Sequence, residues 1–150
     1  MSQLKDALLG ARSALHMAVF TASSGRVLGN WGGHAVIGLT TRGRRSGRPR
    51  TVIVAAFADG VGRIVVVASD GGAPRHPAWY LNLCADPEVT VMRRGRREWM
   101  HARTSAGEER ARLWASVTES APAYAHYQAR TDRLLPLVVL EPDAVASRPA

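Results

Sequence analysis

The chain alternates short apolar runs with connections too brief for a parallel crossover, and this most constrains its fold. Ala35–Leu39, Val52–Phe57, Arg63–Ser69, Glu88–Met92 and Glu98–Thr104 each have strand composition. Asp59-Gly60 is a hairpin signal, and Arg93-Arg94-Gly95-Arg96 is a second tight turn. Parallel neighbours need a crossover of a dozen or more residues, usually a helix, so most of these strands must pair antiparallel. A final run, Leu137–Leu140, ends before Pro142. About six strands of this kind predict an α+β protein whose sheet closes, or nearly closes, into a small barrel with helices outside. No Gly-x-Gly-x-x-Gly opens a helix after the first strand, so a Rossmann-type dinucleotide site is not supported.

Between the helical and strand segments the signals are local. Leu4, Leu8, Ala11, Leu15 and Val19 share one helical face and predict an amphipathic helix over residues 1–19. Its polar face carries little basic charge, which favours packing on the sheet over lying on a membrane. Residues 20–150 form the remaining domain. Pro77 suits the first position of a helix through Trp79-Tyr80-Leu81-Asn82-Leu83. Ser105-Ala106-Gly107-Glu108 matches a capping box opening a helix to about Glu119, and Pro122–Arg130 predicts a second short helix.

The turn after the first strand carries most of the chemistry. From Arg42 to Arg50 it holds five arginines, with two glycines and a serine among them and no acid. Guanidinium forks match phosphate and carboxylate oxygens. Gly43 and Gly47 can adopt positive φ and let backbone N–H groups approach an anion. Two readings stand: a grip on an anion, or a solvated basic hairpin. The net charge of +8 and a pI of about 11.1 point to an anionic partner: nucleic acid, membrane surface or small molecule. Lys5 is the only lysine, and a GC-rich coding sequence would explain the preference for arginine but not its clustering at 42–50 and 93–97.

The remaining candidates are weaker. Ser69 and Gly71-Gly72 end a strand near a helix start and suggest a second site for an anion or ring edge. Tyr124 and Tyr127 share a helical face, either as hydrogen-bond donors in a pocket or as ordinary half-buried tyrosines. The five histidines show no ligand spacing among themselves or with Cys84, so a metal site is not expected. Cys84, on an apolar helix face, is expected to be buried and inert; a lone cysteine also suits a reducing compartment. With no nucleophile signature in view, an enzyme built on this chain needs a cofactor to carry its chemistry. The basic clusters lack interleaved aromatics and no helix-turn-helix or RNP-like pattern is present, which argues against nucleic acid. No apolar run approaches the length of a membrane span, and the expected location is cytoplasmic.

Read in order, the motifs resemble one family. Leu39-Thr40-Thr41-x-Gly43-Arg44-x-Ser46-Gly47-x-Pro49-Arg50 comes first, then Ala68-Ser69-x-Gly71-Gly72. Pro77-x-Trp79-Tyr80-Leu81-Asn82-Leu83 and Asp86-Pro87-x-Val89 follow. Pro122-x-Tyr124-x-x-Tyr127-Gln128-x-x-Thr131-Asp132-Arg133 comes near the end, and the Pro136-to-Pro142 strand closes the series. Over roughly residues 20–142 it resembles the deazaflavin-dependent nitroreductases of actinobacteria. The resemblance implies a split β-barrel, like that of flavin-mononucleotide oxidases, binding coenzyme F-420. That cofactor's phosphate and oligoglutamate tail would account for the basic balance. By resemblance Arg44, Arg45, Ser46 and Arg50 hold phosphate and tail. Thr51, Val52, Ile53, Val54 and Ala55 run beside the ring. Val67, Ala68, Ser69 and Asp70, with Ala78, Trp79, Tyr80, Leu81 and Asn82, complete the pocket. Tyr124 or Tyr127 then donates to the oxygen of a small electrophilic acceptor such as a quinone, enone or nitro compound. The alternatives are flavin mononucleotide (FMN) on the same fold and a non-catalytic ligand carrier. A monomer or homodimer is implied, with peripheral contact at the inner face of the membrane if the acceptor is lipid-soluble.

The chain departs from the pattern in three places. Val52-Ile53-Val54 replaces an Asn-Pro-Leu run, Asp70 puts a carboxylate near an anionic cofactor, and Ala121 stands where an aromatic is often found. The last departure argues against nitroimidazole-type substrates.

Overall fold

A computed structural model describes residues 30–31 and 34–143. The helix expected over residues 1–19 lies outside them. In chain order the elements are β1 (Asn30–Trp31), β2 (His34–Arg42), β3 (Pro49–Ala55), β4 (Phe57–Ala58), β5 (Ile64–Val67), α1 (Ala78–Ala85), β6 (Glu88–Arg93), β7 (Arg96–Thr104), α2 (Gly107–Ser120), α3 (Ala123–Ala129) and β8 (Leu137–Pro142). A 3₁₀ turn, Asp70–Gly72, follows β5. No helix among these residues is long and apolar enough to cross a membrane.

Every described strand pair is antiparallel. The order runs β1-β2-β6-β7-β8-β5-β4, with β3 on the other margin of β2. The two margins, β3 and β4, are separated in the chain by Ala56 alone, whose N–H donates to the Ala35 carbonyl at 2.9 Å. The sheet therefore curls until its first and last strands come together, the nearly closed α+β barrel expected from the short connections and the split barrel that the resemblance implies. The seam between β3 and β5 carries no ladder, and the barrel is open there. Arg94 (φ 48°) and Gly95 (φ 76°) make the two-residue turn between β6 and β7, where both central residues need the left-handed region.

Successive strand side chains point to opposite faces, and in β5 and β8 both faces are covered. Ile64, Val66, Val138 and Leu140 face the barrel interior with Leu39, Val91 and Met100. Val65, Val67, Leu137 and Val139 face outward against Leu113 and Val117 of α2 and against Leu135. This explains the unbroken Val and Leu runs in these strands. β3 is different: Val52 to Ala55 are apolar yet only half-buried.

Three local expectations fail. Ser105 does not cap α2; its Oγ donates to the Leu137 carbonyl at 2.8 Å, and Ala106 takes the cap position without a side-chain bond. Pro77 sits one residue before α1 rather than inside it. Cys84 is exposed, because α1 turns Trp79, Asn82 and Leu83 inward and the next residue faces away.

Candidate active site

The arginine turn is held from both sides. The Gly43 N–H donates to the Arg48 carbonyl and the Gly47 N–H to the Gly43 carbonyl, both at 2.8 Å. Only Gly47 adopts positive φ (70°). Gly43 is needed for space instead: a Cβ there would lie 2.8 Å from Ser46 Oγ and 3.1 Å from the Arg48 carbonyl. The glycine amides thus close the turn and are not presented to an anion. From α1, Asn82, 4% exposed, accepts from the Arg44 backbone N–H through Oδ1 at 3.1 Å and donates through Nδ2 to Thr41 Oγ1 at 3.2 Å. One buried amide therefore ties β2, the turn and α1 together. Among the described residues Arg42 meets Asp86 at 3.9 Å, whereas Arg44, Arg45, Arg48 and Arg50 have no acidic partner.

Two clefts open along β3. One, of about 660 Å³, lies between the arginine turn and α1 and is lined by Arg44, Arg45, Ser46, Arg50, Thr51, Val52, Ala78, Trp79 and Asn82, with Gly43 and Pro49. The other, of about 640 Å³, lies over the open seam and is lined by Ile53, Val54, Ala55, Val67, Ser69, Asp70, Trp79, Tyr124 and Tyr127, with His34, Val36, Gly71, Ala121, Pro122 and Ala123. Trp79 borders both, so they form one groove with β3 as its floor, basic at one end and aromatic at the other.

At the aromatic end the rings support each other. His34 packs on Phe57 (centroids 5.7 Å apart), Phe57 on Tyr124 (5.8 Å, edge-on) and Tyr124 on Tyr127 (5.7 Å, edge-on). Burial holds the Tyr124 phenol above the ordinary phenol range, and Tyr127 beside it adds to the effect. Neither tyrosine hydroxyl has a hydrogen-bond partner among the described residues, and neither does Ser69 Oγ, although Ser69 is only 9% exposed.

The wall carrying Ser69 is clamped by Arg133. Its guanidinium donates to the carbonyls of Ala68 (3.1 Å), Ser69 (2.7 Å) and Ala73 (2.7 Å) and lies 3.1 Å from His76 Nδ1. Gly72 packs so close to α3 that a Cβ would come within 2.4 Å of the Tyr127 carbonyl, at a φ of 84°. Its N–H bonds the Ser69 carbonyl. The Gly-Gly pair expected to present N–H groups thus serves partly to let the wall and α3 approach.

A family model described as F420H(2)-dependent quinone reductase matches residues 12–142. The chain belongs to that family. An F420H(2)-dependent quinone reductase of Mycobacterium tuberculosis (strain H37Rv) is 37% identical over 135 residues, covering 84% of this chain and 87% of its own. A solved F420-H2 dependent reductase, FDR-A, is 39% identical with a TM-score of 0.64, covering 71% of this chain and 93% of that one. A second solved relative, described as a domain-swapped dimer, is 39% identical with a TM-score of 0.65, covering 71% and 79%.

Set against the family expectation, the groove gathers fifteen of its eighteen cofactor residues and both tyrosines. Ala68, Tyr80 and Leu81 are not brought to it. Ala68 is fully buried in the barrel core. On α1, residues 78, 79 and 82 share a face at helical spacing, and 80 and 81 rotate away. Tyr80 instead bonds Thr104 Oγ1 at 3.0 Å and packs on His76. Sequence reasoning missed His34, the Arg133 clamp and the tether role of Asn82. Arg133 had a signal in the Thr131-Asp132-Arg133 run, but without a partner in view; His34 had none, because its place depends on β1, β4 and α3 together.

Proposed function

We propose that the chain is an F420H2-dependent reductase that binds the cofactor along β3, tail at the arginine turn and ring over the open seam, and reduces a quinone-type acceptor beside Tyr124. The carrying observation is the groove itself: Arg44, Arg45 and Arg50, without acidic partners among the described residues, at one end of a half-open apolar floor. Exposed guanidinium without a counter-charge suits phosphate and carboxylate oxygens, and Val52 to Ala55 suit the face of a flat ring. Ser69 Oγ, nearly buried and without a hydrogen-bond partner among the described residues, offers a hydrogen bond to a ring edge. When bound, the reduced deazaflavin supplies hydride.

The chain's own residues do the rest. Arg44, Arg45 and Arg50 bind the anionic tail, with Ser46 beside them. Asn82 keeps Arg44 in place through its backbone N–H. Trp79, at the junction of the two clefts, sets where tail ends and ring begins. Tyr124 and Tyr127 donate hydrogen bonds to the acceptor oxygen; the phenol of Tyr124, kept protonated by burial, is suited to donate. The aromatic and apolar lining excludes water. Purified protein given reduced coenzyme F-420 and a soluble naphthoquinone should oxidise the cofactor in proportion to the quinone added. No quinone-dependent oxidation, or equal turnover with reduced FMN, would overturn the reading.

A further inference from the structure

We propose that His34 is the acid that protonates the acceptor oxygen during reduction. The inference rests on the functional reading above and adds a residue to it. Reduction of a quinone to a hydroquinone takes two electrons and two protons. Hydride brings both electrons and one hydrogen, forming one bond to the acceptor and leaving an oxyanion at the other oxygen. One proton must still arrive there. Oxidation of the reduced deazaflavin frees one proton to solvent, and solvent returns one to the imidazole, so the balance closes.

His34 lines the seam cleft together with Tyr124, and it is the one imidazole among the described residues that does so. It is half-buried at the start of β2, with its ring packed on Phe57, which in turn packs on Tyr124. Neither ring nitrogen has a hydrogen-bond partner among the described residues, so an N–H is free to face a ligand. The other polar groups there suit a different task. Ser69 and the two phenols donate hydrogen bonds but do not release a proton readily near neutrality, and burial makes Tyr124 still more reluctant. An imidazole is the side chain whose ordinary range makes transfer at neutral pH efficient. Asp70, Tyr124 and Tyr127 are the other titratable groups lining this cleft, and the Arg130 guanidinium lies over the Tyr127 ring, 5.7 Å from its centroid.

The test is His34→Gln, which keeps polarity and removes the titration. Its kcat with naphthoquinone should fall about a hundredfold, the usual scale for a lost general acid. Deazaflavin affinity should fall far less than kcat, since the arginine turn that holds the tail is untouched. The alkaline decline of the wild-type pH–kcat profile should be absent from the variant. A merely structural role would weaken cofactor binding and leave the profile's shape intact, and an unchanged kcat would equally overturn the proposal. Should the variant misfold, nitrogen NMR on wild-type protein loaded with oxidised deazaflavin decides: saturating quinone shifts the His34 ring resonances if the proposal holds and leaves them unmoved if it does not. Wild-type protein that binds no deazaflavin would sink the functional reading first and this proposal with it. Normal wild-type turnover with an indifferent His34→Gln would sink this proposal alone.

Discussion

The two ends of the groove are built by opposite means. The basic end is a single turn between adjacent strands, closed by its own backbone bonds and one buried amide from α1. The aromatic end is assembled from β2, β3, β5, the 3₁₀ turn and α3, elements spread from His34 to Tyr127. A charge grip can be local because each guanidinium acts nearly alone on an exposed anion. A reaction pocket must be dry and positioned, so it draws on several elements and on the contacts that hold them.

That contrast predicts unequal sensitivity. The largest effect on stability belongs to Gly72→Ala, at the contact between the wall and α3. Its φ of 84° and the 2.4 Å approach to the Tyr127 carbonyl should cost about 2–4 kcal/mol in chemical denaturation. Acceptor reduction should be lost more completely than deazaflavin binding; equal loss of both would erase the distinction between the ends. Next comes the double variant Arg44→Ala/Arg50→Ala. Charged hydrogen bonds are worth about 1.5–3 kcal/mol each, so deazaflavin affinity should fall at least a hundredfold, with a flatter salt dependence and unchanged melting temperature. Asn82→Ala should weaken cofactor binding by about tenfold, because the Arg44 N–H and Thr41 hydroxyl lose their buried partner. If instead only the acceptor KM rises, the tether is not what places the turn.

The smaller effects fall at the aromatic end. Tyr124→Phe should lower kcat about tenfold with cofactor affinity intact, as one neutral hydrogen bond in the transition state is lost. The same variant carries a pH signature. Burial raises the folded-state pKa of Tyr124, so its contribution to stability is complete below the ordinary phenol pKa of 10.0 and is lost as pH rises beyond it. Wild-type protein should therefore lose stability above about pH 10 more steeply than Tyr124→Phe. Parallel curves would mean the phenol is not desolvated.

The same contrast governs what could be read from the sequence. The arginine turn, the short antiparallel strands and the α1 motif are local, and local chemistry announces them. Gly43 and Gly47 were harder, because whether an amide N–H faces a ligand or closes its own turn depends on where Arg48 points. Ser105 carries a cap signature, yet the Leu137 carbonyl, 32 residues on, claims its hydroxyl. Tyr80 and Leu81 belong to the same motif as Trp79 and Asn82 but lie outside the groove lining, on a helix whose orientation only packing decides. His34 and Arg133 act through partners from distant parts of the chain, and no spacing rule reaches them.

Fluorescence titration of oxidised coenzyme F-420 into wild-type protein and into Arg44→Ala/Arg50→Ala, beside the same titrations with FMN, tests the central claim most directly. Saturable deazaflavin binding in the wild type, at least a hundredfold weaker in the variant and tighter than FMN throughout the wild-type series, is the predicted result. Deazaflavin binding indifferent to both arginines, or FMN bound more tightly, would contradict it.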